Sequence, residues 1–220
     1  MRLSFLIALI VSALFISCNS QPDRPQVMDL KPSSLPALQP GEAVATFAGG
    51  CFWSMQEEMR LLKGVRQVVS GYAGGDVEKP TYEQVSSDQT GHAEAIQVYY
   101  DPKVLPYDKL LDAFFAAHDA TTLNRQGPDV GKHYRSIAFY RTPAEKTQIE
   151  AAIRREDASD HHQDPVVTQV TALDAFYPAE GYHQDYYRQN PYNMYVATVC
   201  RKKVGKFKDR MSDYLKKDVD

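Results

Sequence analysis

The sequence offers its clearest chemistry in two thiols and one short aromatic stretch. In Phe47-Ala48-Gly49-Gly50-Cys51-Phe52-Trp53 a glycine pair separates a strand-like run from a helix-like one. Such a pair lets the backbone turn sharply and leaves Cys51 at a helix opening, where unpaired amides and the helix dipole favour an anion. A free thiol with pKa about 8.5 is only ~3% thiolate at neutral pH, so the position predicts a lowered pKa and a nucleophilic sulfur. Phe52 and Trp53 can wall an apolar slot beside it. The same residues also fit plain core packing, since Cys and Phe are often buried without a chemical task. Taken alone, the fragment leaves both readings open. The other thiol of the folded part, Cys200, ends the strand-like run Tyr195 to Val199 and precedes Arg201-Lys202-Lys203. Those cations would favour its thiolate, and the competing reading is a buried strand residue.

These groups must be positioned by elements that the apolar periodicity outlines. Ala43 to Ala48 reads as a strand, and Cys51 to Leu62 as a helix with Phe52, Met55, Met59 and Leu62 near one face. Val65 to Val69 and the alternation Ile96, Val98, Tyr100 read as strands, and Leu110, Leu111, Phe114 and Phe115 as an amphipathic helix after Pro106. Ser136 to Tyr140 is a further strand, followed by a helix opening at Thr142-Pro143 with Glu145 three residues after its cap. Val166 to Val170 reads as a strand, then come a Tyr-rich helix, a strand near Tyr195 to Val199 and a basic final helix. The order predicts an α/β (α+β) fold, a two-layer mixed-sheet domain with flanking helices and long loops. With 220 residues, 43% of them hydrophobic, the chain fills one such domain but not two.

The N-terminus reads differently. Met1-Arg2, the apolar run Leu3 to Ile16 and small Ser17 before Cys18 have the three zones of a secretory signal. Leu14 to Cys18 resembles the bacterial lipoprotein signal, so residues 1–17 are expected to be a signal peptide and Cys18 the lipidated first residue. Asn19 to Gly41 is rich in Pro, Ser and Gln, so 18–41 reads as a lipid-anchored flexible linker and 42–220 as the catalytic domain. The expected location is exported and membrane-anchored, facing periplasm or cell exterior. Net charge is -3 and the cations are dispersed, which argues against nucleic acid as a partner. A monomer is expected.

Several ordered motifs place the fragment in context. They are GCFW (Gly50 to Trp53), GYAGG (Gly71 to Gly75), PTYEQV (Pro80 to Val85), TGHAEAI (Thr90 to Ile96) and YDP (Tyr100 to Pro102). After them come HD (His118-Asp119), LNRQGPDVG (Leu123 to Gly131) and YRS (Tyr134 to Ser136). Together they resemble the type A methionine sulfoxide reductases, the peptide-methionine (S)-S-oxide reductases, from about Phe47 to Lys208. The resemblance implies that Cys51 attacks the sulfoxide and that Glu94 is the proton donor. It also implies that Tyr82, Asp129 and Tyr134 form the polar side of the pocket, and Phe52 and Trp53 the walls for the methyl group. Cys200 lies where the family often carries a resolving cysteine, and Ser86 where some relatives carry another. No cofactor or metal is implied. The expected partners are oxidised proteins or peptides, a thioredoxin-like dithiol donor, and the membrane through the lipid anchor.

The chemistry is coherent with that set. A sulfoxide sulfur is a poor electrophile until its oxygen is hydrogen-bonded or protonated, so the reaction requires a thiolate, an acid and an apolar slot. Burial beside aromatics is expected to raise the pKa of Glu94 enough to keep its proton. Three rivals stand beside this reading. They are a cysteine hydrolase using His92 or His133 as base, a metal site on His161-His162 and His183, and a binding module with one Cys51 to Cys200 disulfide.

Overall fold

The structure is a computed structural model that describes residues 28–217. The signal peptide and Cys18 lie outside the described residues. The strands are β1 (Ala43–Gly49), β2 (Val65–Ala73), β3 (Ala93–Tyr100), β4 (Arg125–Gln126), β5 (Asp129–Val130), β6 (Ser136–Tyr140), β7 (Gln169–Ala172) and β8 (Phe176–Pro178). The helices are α1 (Phe52–Arg60), α2 (Tyr82–Ser86), α3 (Tyr107–Ala117), α4 (Pro143–Asp157), α5 (Tyr186–Gln189) and α6 (Arg201–Arg210).

β1, buried continuously from Ala45 to Gly49, lies at the sheet's centre and pairs antiparallel with β3 on one side and β6 on the other. The full order is β7-β6-β1-β3-β2-β8, with β7 parallel to β6 and every other pair antiparallel. That single parallel pair makes the sheet mixed. One face carries the large core, where Phe47 stacks on Phe114 at 4.7 Å. Met55 and Met59 of α1, Leu111 of α3, Ile149 of α4 and Phe207 of α6 join the same core. The other face has only a small cluster built on Ala48, Ala73, Ala93, Ala95, Ile137 and Phe139, against which Leu173 and Phe176 pack. This is the two-layer mixed-sheet arrangement that the periodicity predicts. α4 starts as its cap residues dictate, with Thr142 Oγ1 accepting from the Glu145 amide at 3.2 Å and Pro143 in the first turn.

Two elements differ from expectation. The strand expected over Val166 to Val170 forms three residues later, as β7. No strand forms at Tyr195 to Val199. Val196–Cys200 is a π turn that runs straight into α6. Val196, Cys200, Val204, Phe207 and Met211 recur at spacings of four, four, three and four, and all are buried. That helical face outweighs the strand preference of a short β-branched run.

α1 also carries an acid into the helical layer. Glu58 is 0% exposed and neither carboxyl oxygen has a hydrogen-bond partner. Burial pushes its pKa from 4.5 up to about 8, with Lys203 opposing. The folded state then holds a proton that the unfolded chain releases. The associated stability is full below about pH 4.5 and falls by ~1.4 kcal/mol per pH unit as pH rises towards about 8. We therefore expect Glu58→Met to raise Tm by several degrees at pH 8 and by much less at pH 5. Equal Tm values for variant and parent at pH 8 would contradict the assignment.

Candidate active site

Gly50 sets the nucleophile's position in two ways. Its φ of 94° lies in the left-handed region, and a Cβ there would sit 2.6 Å from Gln126 Cγ. Cys51 follows as the N-cap of α1, with its carbonyl accepting from Ser54 Oγ at 3.1 Å. The next amide, that of Phe52, donates to Glu94 Oε2 at 2.9 Å. The acid is thereby fixed beside the sulfur. Cys51 is 5% exposed and lines a cavity of about 300 Å³ together with Trp53, Tyr82, Glu94, Asp129, Tyr134, Asn193 and Tyr195. Phe52 is buried behind Trp53, against Tyr72 and His183 at 6.0 and 4.9 Å between ring centroids.

Different elements deliver the polar groups. Glu94 comes from β3, next to the sheet's centre. Tyr82 opens α2, whose Thr81 and Gln84 form a reciprocal capping box. Tyr134 ends a tight turn held by Asp88, which accepts from the Lys132 amide at 3.1 Å, the His133 amide at 3.0 Å and His133 Nδ1 at 2.7 Å. Asp129 opens β5 of the β4–β5 hairpin, where it accepts from Tyr195 Oη at 2.5 Å and pairs with Lys203 Nζ at 3.5 Å. Cys200 does not line the cavity. It is fully buried at the start of α6, near enough to Cys51 to act on that thiol's pKa.

The electrostatics follow from this burial. Desolvation first, and the charge of Cys51 second, push the Glu94 carboxyl well above the usual carboxylate range, with the Phe52 amide opposing. Both causes favour the protonated form of Glu94. Burial, then the Glu94 charge, raises the phenols of Tyr82 and Tyr134, so both remain hydrogen-bond donors. Cys51 behaves against expectation. Burial first and the neighbouring Cys200 second push its thiol well up, while Lys203 and the Trp53 amide pull it down. The helix opening is present, but one of its amides is committed to Glu94 and the sulfur sits in an almost dry slot. The free site thus stores the sulfur as a thiol.

Some of the site lay beyond sequence reasoning. Trp53 Nε1 donates to His183 Nδ1 at 3.0 Å, and the indole stacks on Tyr186 at 3.8 Å and 12°. Burial lowers the pKa of His183 to about 4, so the ring stays neutral and can accept. A buried indole N–H calls for an acceptor, which was the available signal, but which histidine supplies it depends on the fold. His92 and His133 are not bases for Cys51. His92 accepts from the Gly75 amide at 3.0 Å and meets the Val77 carbonyl at 2.8 Å, while His133 serves Asp88. His161 and His162 both gather on Glu156, which Arg210 also pairs.

The family model described as peptide methionine sulfoxide reductase matches residues 43–215. A peptide methionine sulfoxide reductase MsrA from Haloquadratum walsbyi is 47% identical over 171 residues, covering 78% of this chain and 97% of that protein. The MsrA of Leptospira borgpetersenii is 48% identical over 163 residues, covering 74% and 92%. Among solved structures, reduced Mxr1 from Saccharomyces cerevisiae superposes with a TM-score of 0.66 at 33% identity, covering 71% of this chain and 91% of that one. Methionine sulfoxide reductase A of Corynebacterium diphtheriae gives 0.63 at 29% identity, covering 70% and 78%.

Proposed function

The chain belongs to the peptide methionine sulfoxide reductase family, and on that premise we propose how its own residues divide the reduction of methionine sulfoxide. Trp53, with Phe52 behind it, receives the methyl group, and the oxygen faces the Glu94 carboxylic acid and the Tyr82 and Tyr134 hydroxyls. Asp129 and Tyr195 hold the polar rim. Hydrogen bonding to the oxygen makes the substrate sulfur electrophilic, and loss of the Cys51 proton to the same network makes the attacking sulfur electron-rich. The oxygen passes from the substrate sulfur to Cys51. Methionine leaves two electrons richer, and Cys51 becomes a sulfenic acid.

Cys200 then attacks that sulfenic acid. A disulfide forms and water leaves, carrying the sulfenic oxygen. A thioredoxin-like dithiol returns both cysteines to thiols and is itself oxidised. The substrate is the S epimer, in proteins or free. One observation carries the reading: a buried acid, its pKa raised by that burial, is bonded to the amide next to Cys51, the only described cysteine that lines the cavity.

One turnover without reductant tests it. With the S epimer we expect one methionine per enzyme and a Cys51–Cys200 disulfide in the mass spectrum, and with the R epimer no product. The Cys200→Ser variant should give the same methionine but stop at a sulfenic acid. Consumption of the R epimer alone would refute the proposal. We also propose that Cys18 carries the lipid, a reading supported by the sequence Leu14 to Cys18. Cys18→Ser should move the protein from the membrane fraction to the soluble one.

A further inference from the structure

The family match begins at residue 43, yet the chain ahead of it touches the loop behind the active site. Asp29 to Ser33 runs antiparallel to Ala179–Tyr182, just past the sheet edge formed by β8. The Ser33 amide donates to the Ala179 carbonyl at 3.0 Å, the Gly181 amide to the Lys31 carbonyl at 2.8 Å and the Tyr182 amide to the Asp29 carbonyl at 3.1 Å. The Asp29 side chain lies flat on the loop. A Cβ on Gly181 would stand 2.3 Å from Asp29 Oδ2, so only glycine permits the approach.

The loop's other side faces the site. Glu180 accepts from Tyr72 Oη at 2.8 Å and from the Tyr82 amide at 3.0 Å, and its Oε2 lies 4.0 Å from His183 Nε2. His183 in turn holds the Trp53 indole. The loop is therefore gripped between the extended N-terminal segment and the residues that orient two walls of the cavity. We propose that Asp29–Ser33 is a positioning strap of the active site: by fixing Ala179–His183 from outside, it sets the orientation of Trp53 and Tyr82 towards the substrate. The proposal rests on the reading of Trp53 as the methyl wall. It requires no movement and no second ligand. The strap is exposed and held by backbone bonds, and the loop keeps inner ties of its own, such as the Ala179 amide to the Ser70 carbonyl at 2.9 Å. Its removal should loosen the pocket without unfolding the domain.

Trp53 is the only tryptophan in the chain, so its fluorescence reports the strap's effect directly. The test compares the full chain with a variant lacking residues 28–34 and with an Asp29→Gly, Ser33→Pro double variant, using a methionine (S)-sulfoxide peptide and a small dithiol. We expect the deletion to lower kcat/KM about five- to tenfold, mostly through KM, with a red-shifted Trp53 emission and faster hydrogen exchange at the Gly181 and Tyr182 amides. Tm should change little, and Asp29→Asn should behave as the parent. Parent-like kcat/KM and emission in the deletion variant would overturn the strap while leaving the reductase reading intact. An inactive parent would instead strike at the reductase reading.

Discussion

Replacing Cys51 by serine is expected to lower kcat/KM for a methionine sulfoxide peptide by at least about 10⁴-fold. A hydroxyl oxygen has a far higher pKa than a thiol and cannot accept the sulfoxide oxygen to form a sulfenic acid. Cys200 cannot substitute, because it is fully buried and lies off the cavity. The variant should still fold, since serine is slightly smaller and the α1 cap geometry depends on backbone atoms. Substrate should still bind, and quenching of the Trp53 emission would measure that binding. A folded, substrate-binding Cys51→Ser protein with activity within tenfold of the parent would remove Cys51 from the chemistry.

That cysteine illustrates what a sequence discloses and what it withholds. Its place at a helix opening followed from the glycine pair before it, and the structure puts it there. Its protonation state did not follow, because a dipole is a local property whereas much of the desolvation comes from residues such as Tyr82, Tyr134 and Tyr195 that arrive from elsewhere in the chain. Glu94 shows the converse. Its raised pKa was anticipated once burial was assumed, since desolvation of a carboxyl has only one sign. The segment ending at Cys200 misled for a different reason. Tyr195 to Val199 is short and β-branched, and a five-residue window cannot distinguish a strand from the first turns of a helix whose buried face extends to Met211. The longer period was present in the sequence, but only an eleven-residue or wider view reveals it. The roles of His183, Tyr186 and Lys203 were illegible because their partners are distant in sequence: His183 stood only as a rival metal ligand and Lys203 only as a cation beside Cys200. They act through Trp53 and Asp129, which lie 74 to 133 residues away in sequence and meet them only in the fold.

Glu94→Gln is expected to slow the reduction step by about 10²- to 10³-fold, which is the range typical for loss of a positioned general acid. Glutamine keeps the shape, can still accept from the Phe52 amide, and can donate a hydrogen bond to the sulfoxide oxygen. It cannot transfer a proton. The pH profile separates these roles. Cys51 and Glu94 line one cavity and the charge of Cys51 raises the Glu94 carboxyl, so we expect them to titrate as an interacting pair whose limbs belong to the pair rather than to either residue. In the parent, the single-turnover rate should rise as the first proton leaves the pair and fall as the second leaves. Glu94 is raised above the usual carboxylate range, so the falling limb lies well to the alkaline side of an ordinary carboxyl titration. In Glu94→Gln the second proton no longer exists to be lost. The falling limb should vanish, leaving a rate that only climbs as the Cys51 thiol ionises, while the KM for a sulfoxide peptide stays within a few-fold of the parent. Single-turnover kinetics from pH 5 to 10 decide the matter. If the alkaline fall persists unchanged in the glutamine variant, the proton that reaches the sulfoxide oxygen comes from another group.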